Sequence, residues 1–405
     1  MKEKIAFVCQ RYGLEVNGGS EAYCLQLAEK LTAYYDVTVY TTCALSYTTW
    51  ANSYPTGEVD INGVHVKRYA VEKERNQEIF NKISSLVYAE GHTDGEELQW
   101  IEEQGPYCPE LLDDLDREHT RYRVVFFMTY LYYLSAAGLP RGYENAALIP
   151  TLHDELPAHL RYYDAVFAAA KGLAWNTEEE KAYACKRFPC VRAIPGVMTG
   201  IGLTEPDNPL PELPGELEGK TYLVYAGRID ESKGCGEMFS FFRRYKQERG
   251  GELKLVLMGK PVMEIPEDPN IISLGFVSEE MKFAVMREAF ALVLFSRFES
   301  LSMVVLESML MERPVLVTGK CEVLKGHCIR SGAGLYFDNY PEFEGCLRWL
   351  QEHPEAYQKM RRLGKEYVQR NYSWDAILGQ YRKLISDVFP PVKENKELLH
   401  VVENE

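Results

Sequence analysis

Short apolar runs alternate along the chain with longer segments whose apolar positions recur at helical spacing. This is the pattern of a mostly parallel sheet covered by helices on both faces. In the first half the runs predict strands over 5–8, 37–40, 64–69, 124–128, 147–151 and 173–175, with a polar, less regular stretch over 72–123 that reads as a helical excursion. Between 196 and 219 the periodicity stops and Pro206, Pro209, Pro211, Pro214 and Gly215 accumulate, a linker signal. The alternation then restarts: strand 221–226, a helix from about 236, strand 254–258, helix 278–288, strand 291–295, helix 303–311 and strand 315–318. Two helical segments, 355–370 and 374–389, close the pattern before Pro390-Pro391 and a polar tail expected to be disordered.

Composition changes this picture little and charge changes it more. The 405 residues suit two α/β units. Sixty acidic residues against 45 basic give −15, the wrong sign for a nucleic-acid binder or a polybasic membrane anchor. No apolar stretch approaches a membrane span, and the apolar run at the N-terminus is too short for a signal-peptide core, so the chain is expected in the cytoplasm. Ten scattered cysteines without a C-x2-C pair read as reduced, mostly buried thiols.

Four positions carry candidate chemistry. After the first strand, Gly18-Gly19 and Ser20 precede a helical pattern; with Ser20 as N-cap, free amides at a positive helix end suit an anion. After the strand at 221–226, Gly227-Arg228 and Lys233-Gly234 stand at a strand carboxyl end, where open α/β sheets bind ligands. There Arg228 offers a guanidinium fork and Lys233 a point charge for a diphosphate. After 291–295, Glu299 and Glu307 are expected to face the strand-end cleft, with the amides of Ser300, Leu301, Ser302 and Met303 opening a helix. His153 falls just past a first-half strand.

In this order and spacing, Gly18-Gly19, His153, Gly227-Arg228, Lys233-Gly234 and the E-x7-E pair Glu299 and Glu307 resemble the family-4 retaining glycosyltransferases of GT-B fold. The resemblance implies two Rossmann-like α/β/α domains facing a central cleft. The N-terminal acceptor domain would span 1–200, completed by the helix at 374–389, and the C-terminal nucleotide-sugar domain 201–373, leaving 390–405 as tail. It further implies a UDP- or GDP-sugar donor, no required cofactor or metal, and an acceptor that is a glycan, a lipid-linked glycan or a small molecule. Nucleic acid is not expected, and membrane contact is at most peripheral, at the inner face. Carried over, Arg228 and Lys233 would bind the diphosphate and Glu307 the ribose. Glu299 would bind the hexose, with Gly227, Ser300, Leu301, Ser302 and Met303 lining the donor. Gly18-Gly19 would close over phosphate and acceptor, and His153 would stand near the anomeric carbon. His153, Arg228, Lys233 and Glu299 form the expected catalytic set.

Two stretches depart from the family pattern. Ser300-Leu301-Ser302 stands where the family usually has Gly-Phe-Gly, and the segment 320–328 replaces a glycine-rich run, with Glu322 and Lys325 as possible donor-facing groups. Cys321, Glu322, His327 and Cys328 fit no standard zinc spacing. The D-x-D of Asp114 and Asp116 lies in a helical pattern, and the glycine-lysine stretch at 215–221 precedes a strand where a P-loop must follow one. Both read as coincidences. An epimerase or phosphorylase on the same fold, a non-catalytic nucleotide-sugar scaffold and an NAD enzyme are the competing readings; the last lacks G-x-G-x-x-G.

Overall fold

The structure, a computed structural model, describes residues 2–16, 18–207 and 209–392. The expected tail thus lies, from residue 393 onward, outside the described residues. Contacts divide the chain into two compact units. The first holds residues up to Trp175, then Ala182–Thr199 and the chain from Leu378; the second holds Asn176–Lys181 and Gly200–Ile377.

The first unit is built on a sheet ordered β3-β4-β2-β1-β5-β6-β7-β8. Its strands are β1 (Lys4–Val8), β2 (Asp36–Thr42), β3 (Gly57–Ile61), β4 (Val64–Tyr69), β5 (Val125–Met128), β6 (Ala146–Ile149), β7 (Gly172–Trp175) and β8 (Gly196–Met198). All pairings are parallel except β3 with β4. β5, β6 and β7 are buried at every position, which a sheet covered on both faces requires. Helices α1 (Gly19–Leu31), α2 (Gln77–Val87), α3 (Asp94–Gln104), α4 (Pro109–Glu118), α5 (Tyr133–Gly138), α6 (Tyr162–Ala169) and α7 (Glu178–Arg187) connect these strands. The excursion at 72–123 is helical because each helix has a start signal: Asn76 caps α2, Thr93 and Glu96 form a reciprocal capping box on α3, and Pro109 opens α4.

The second sheet runs β11-β10-β9-β12-β13-β14 and all its pairings are parallel. Its strands are β9 (Tyr222–Ala226), β10 (Lys254–Met258), β11 (Ile271–Ser273), β12 (Ala291–Leu294), β13 (Val315–Thr318) and β14 (Gly334–Phe337). Its helices are α8 (Cys235–Arg249), α9 (Glu279–Glu288), α10 (Met303–Leu310), α11 (Glu322–Ser331), α12 (Tyr340–Glu352) and α13 (Pro354–Asn371). An aromatic cluster around Phe241 joins α8 to β12, β14 and α12, with Phe295 and Phe337 4.7 Å apart.

Two expectations need correction. The break does not begin at 196: Gly196–Met198 is an edge strand, because its backbone groups complete the open side of β7. The first block is not continuous to 200, since Asn176–Lys181 belongs to the second unit; α14 (Trp374–Val388) likewise divides, its first turn at Trp374 packing on Gly202 and bonding Thr204.

Candidate functional site

The loop after β9 is shaped by its own side chains. The Tyr225 hydroxyl donates to the Arg228 carbonyl at 2.7 Å, and Asp230 accepts from the Ser232 amide at 2.7 Å, starting a short turn. Gly234 ends that turn at φ 72°, where a Cβ would collide with the Phe295 carbonyl at the end of β12. A glycine is therefore needed to bring the β9 and β12 loops together. Across this contact the Lys233 ammonium donates to Glu299 at 2.9 Å, while the Arg228 guanidinium pairs with Asp230 at 2.8 Å. Burial would push the Asp230 carboxyl up, but the Ser232 hydrogen bonds and the Arg228 charge outweigh it and hold it below the usual range.

More charge lies at the same strand ends. Glu237 on α8 accepts from Lys320 after β13 at 2.8 Å and pairs with Arg297 after β12 at 3.5 Å. Burial would raise the Glu237 carboxyl, yet these two cations keep it low. Arg228, Lys233, Arg297 and Lys320 thus stand with Asp230, Glu299 and Glu237 as a strand-end set with more cations than anions. Sequence reasoning missed Arg297, Lys320 and Glu237, whose pairing across three loops has no local spacing signal.

Glu299 and Glu307 are not equivalent. Glu299 is half-buried beside Lys233, whereas Glu307 lies inside α10 at 6% exposure and accepts from Lys282 of α9 at 2.9 Å. Burial raises the Glu307 carboxyl against the pull of Lys282. The two carboxylates, both expected to face the strand-end cleft, thus differ, because helix geometry turns Glu307 toward α9. Sequence reasoning did not single out Lys282.

Between them, Ser302 precedes α10 in the left-handed region at φ 64°, and its buried hydroxyl has no hydrogen-bond partner among the described residues. An L residue there costs about 1–2 kcal/mol. Ser302→Gly is therefore expected to raise unfolding stability by roughly 0.5–1 kcal/mol in urea titration. A loss of stability would show that the hydroxyl has a partner in solution.

In the first unit, α1 begins at Gly19 and Ser20 is not its cap. The Ser20 hydroxyl instead donates to Glu21 at 2.8 Å and accepts from the Gln10 amide. The Glu21 carboxylate lies so close to Gly18 that a Cβ there would overlap it. Glu21 also holds Arg11 at 2.6 Å in a pair only 4% and 5% exposed. A carboxylate already occupies this helix start, and Arg11 neutralises it. His153 follows β6, with Glu155 3.4 Å away, and Glu155 accepts from the buried Tyr130 hydroxyl at 2.8 Å. Thr129 and Thr151, at the ends of β5 and β6, sit at φ 57° and 50°, strained for β-branched residues.

The remaining motifs have local partners. Asp114 accepts from Lys67, Tyr69 and Arg117, and Asp116 from Tyr143 and Arg141, all around α4. Glu322 is exposed at the start of α11, and Lys325 lies over the Tyr336 ring. Among the described residues no group of three or more His, Cys, Asp or Glu is arranged to hold a metal ion.

The family described as "Glycosyl transferases group 1" matches residues 220–350. This stretch is similar to a group 1 glycosyltransferase domain. It contains the Arg228, Lys233, Glu299 and Glu307 loops. A curated relative, "Glycosyltransferase 1 domain-containing protein 1" of Xenopus tropicalis, is 33% identical over 105 residues, covering 25% of this chain and 29% of that protein's length. Solved structures extend the likeness beyond the group 1 domain. Sucrose-phosphate synthase from Thermosynechococcus elongatus superposes at a TM-score of 0.67 with 15% identity, over 95% of this chain and 100% of that one. The E. coli trehalose-6-phosphate structure bound with UDP-2-fluoro glucose gives 0.68 with 12% identity over 96% and 100%. Anabaena HepE in complex with UDP and glucose gives 0.61 with 12% over 95% and 99%. At these identities the likeness establishes the fold, which is GT-B, with two parallel-sheet α/β units.

Proposed function

We propose that the chain is a family-4 retaining glycosyltransferase. It would transfer a hexose or N-acetylhexosamine from a UDP- or GDP-sugar to an acceptor hydroxyl, in cell-surface polysaccharide or glycoconjugate synthesis. The observation that carries the reading is the match of residues 220–350 to the group 1 glycosyltransferases, with Lys233 meeting Glu299 and Arg228 pairing with Asp230 at the strand ends inside it. In this reading the second unit binds the donor, and the first binds an acceptor glycan, lipid-linked glycan or small molecule. The work is placed in the cytoplasm or at the inner membrane face; among the described residues no helix is long and apolar enough to cross a membrane.

Breaking the bond between an anomeric carbon and a diphosphate builds negative charge on the leaving oxygen and positive charge on the sugar. The catalyst must aim fixed donors at the former. Arg228, Lys233 and the amides entering α10 supply these without a divalent ion, and diphosphate would exchange with Asp230 and Glu299 for the two cations. Glu307 then accepts from the ribose diol and Glu299 from hexose hydroxyls. Retention follows if the acceptor hydroxyl attacks from the face the diphosphate leaves, giving its proton to the departing phosphate oxygen.

A thermal-shift panel of nucleotide sugars tests the donor class. A cognate donor at 100 times its Kd stabilises by about 2.7 kcal/mol, a shift of several degrees. If neither UDP- and GDP-sugars nor the free nucleotides move the transition, the transferase reading fails. Conversion of the bound nucleotide sugar to an epimer, with no acceptor product, would favour the epimerase alternative.

A further inference from the structure

The two stretches that depart from the family pattern meet in space. His327 of α11, inside the unusual 320–328 segment, places Nε2 2.8 Å from the carbonyl oxygen of Leu301, the middle residue of Ser300-Leu301-Ser302. A carbonyl only accepts, so Nε2 carries the proton, and Nδ1 accepts from the Tyr367 hydroxyl at 3.1 Å. The ring is fully buried, and burial together with the Arg330 charge pushes it down to about 4, so it stays neutral near pH 7 and this tautomer persists. Arg330 donates to Tyr367 and pairs with Glu179, which braces the ring's second partner.

The same loop is held from a second side. Thr177 donates to the Ser300 carbonyl at 3.2 Å and the Asn176 amide to the Ser300 hydroxyl at 3.4 Å. Glycines leave such a loop soft; here outside contacts hold Ser300 and Leu301, the two residues before the left-handed Ser302. Two polar atoms beside the loop have no hydrogen-bond partner among the described residues: the Ser302 hydroxyl and the Asn176 side-chain amide oxygen, on residues 6% and 2% exposed. Such orphans mark a place where another group completes the bonding.

We propose that His327 is a positioning residue for the donor: by holding the Leu301 carbonyl it fixes the amides of Ser302 and Met303 toward the oxygens of the transferred sugar. This rests on the transferase reading. The clamp acts on the sugar-proximal loop and leaves Arg228, Lys233 and Glu307, which hold the nucleotide, unchanged.

The test compares His327→Phe and His327→Gln with the unaltered protein by calorimetric titration of the nucleotide sugar found in the thermal-shift panel and of its free nucleotide. Phe removes the donor, whereas the Gln amide can still bond the Leu301 carbonyl. His327→Phe should weaken nucleotide-sugar binding about tenfold or more and leave free-nucleotide binding within twofold, with Gln recovering most of the loss. Amide exchange followed by mass spectrometry gives a ligand-independent readout: the peptide over 300–304 should exchange faster in His327→Phe while the β9 peptide does not. Equal loss for both ligands, no recovery with Gln, or unchanged exchange at 300–304 overturns the clamp. If the unaltered protein binds no nucleotide sugar while exchange at 300–304 rises as expected, the donor reading fails and His327 remains only a structural anchor.

Discussion

Lys233→Ala and Arg228→Ala each lower kcat by about 10²–10³, equivalent to roughly 2.7–4 kcal/mol, the usual effect of deleting one preorganised charge donor. Lys233 is the sharper case, because its ammonium is shared with Glu299. Alanine there would remove the proposed diphosphate contact and also leave the half-buried Glu299 carboxylate facing an incoming anion. The loss in Lys233→Ala should therefore exceed the loss in Lys233→Ala/Glu299→Gln measured against Glu299→Gln alone, which a double-mutant cycle on kcat/KM resolves. Arg228→Lys should recover little, since a point charge cannot replace the fork. Full turnover in both alanine variants would remove these residues from the mechanism.

Arg11→Met destabilises the protein by about 3–5 kcal/mol, because it leaves the Glu21 carboxylate buried and uncompensated. The pair is almost fully enclosed; Arg11 also donates to the Leu45 carbonyl and lies over the Tyr47 and Trp50 rings. Replacing both partners, as Arg11→Met/Glu21→Leu, should recover most of the loss, since no charge then remains to be desolvated. Denaturant titration of the three variants decides it, and a loss below about 1 kcal/mol in Arg11→Met would mean that Glu21 reaches water. Glu21 also crowds Gly18, so the glycine loop after β1 depends on Arg11 holding that carboxylate in place.

Several features were readable without coordinates. The buried strands β1, β2, β5, β9, β10, β12 and β13 are apolar runs bounded by polar turns, and such runs have few alternatives to a covered parallel sheet. One signal was present and overlooked: Asn62-Gly63, with φ of 53° and 82°, is the tight turn joining β3 to β4, yet β3 is almost wholly exposed and so lacks an apolar pattern. β8, β11 and β14 were missed because short strands of mixed exposure owe their existence to a neighbour's free backbone groups. The two aspartates of the D-x-D were legible as helical, and their partners Lys67, Tyr69, Arg141 and Tyr143 come from elsewhere in the chain.

The sequence by itself determined the alternation of elements, the GT-B expectation and the residue types offered at each strand end, because hydrophobic periodicity and loop chemistry are local properties of the chain. Tertiary structure alone decided which charges meet. Lys233 with Glu299, Lys282 with Glu307, Glu237 with Arg297 and Lys320, and His327 with Leu301 each join loops or helices far apart in sequence. Pairing energy depends on distance and burial after folding, and neither is encoded in spacing along the chain.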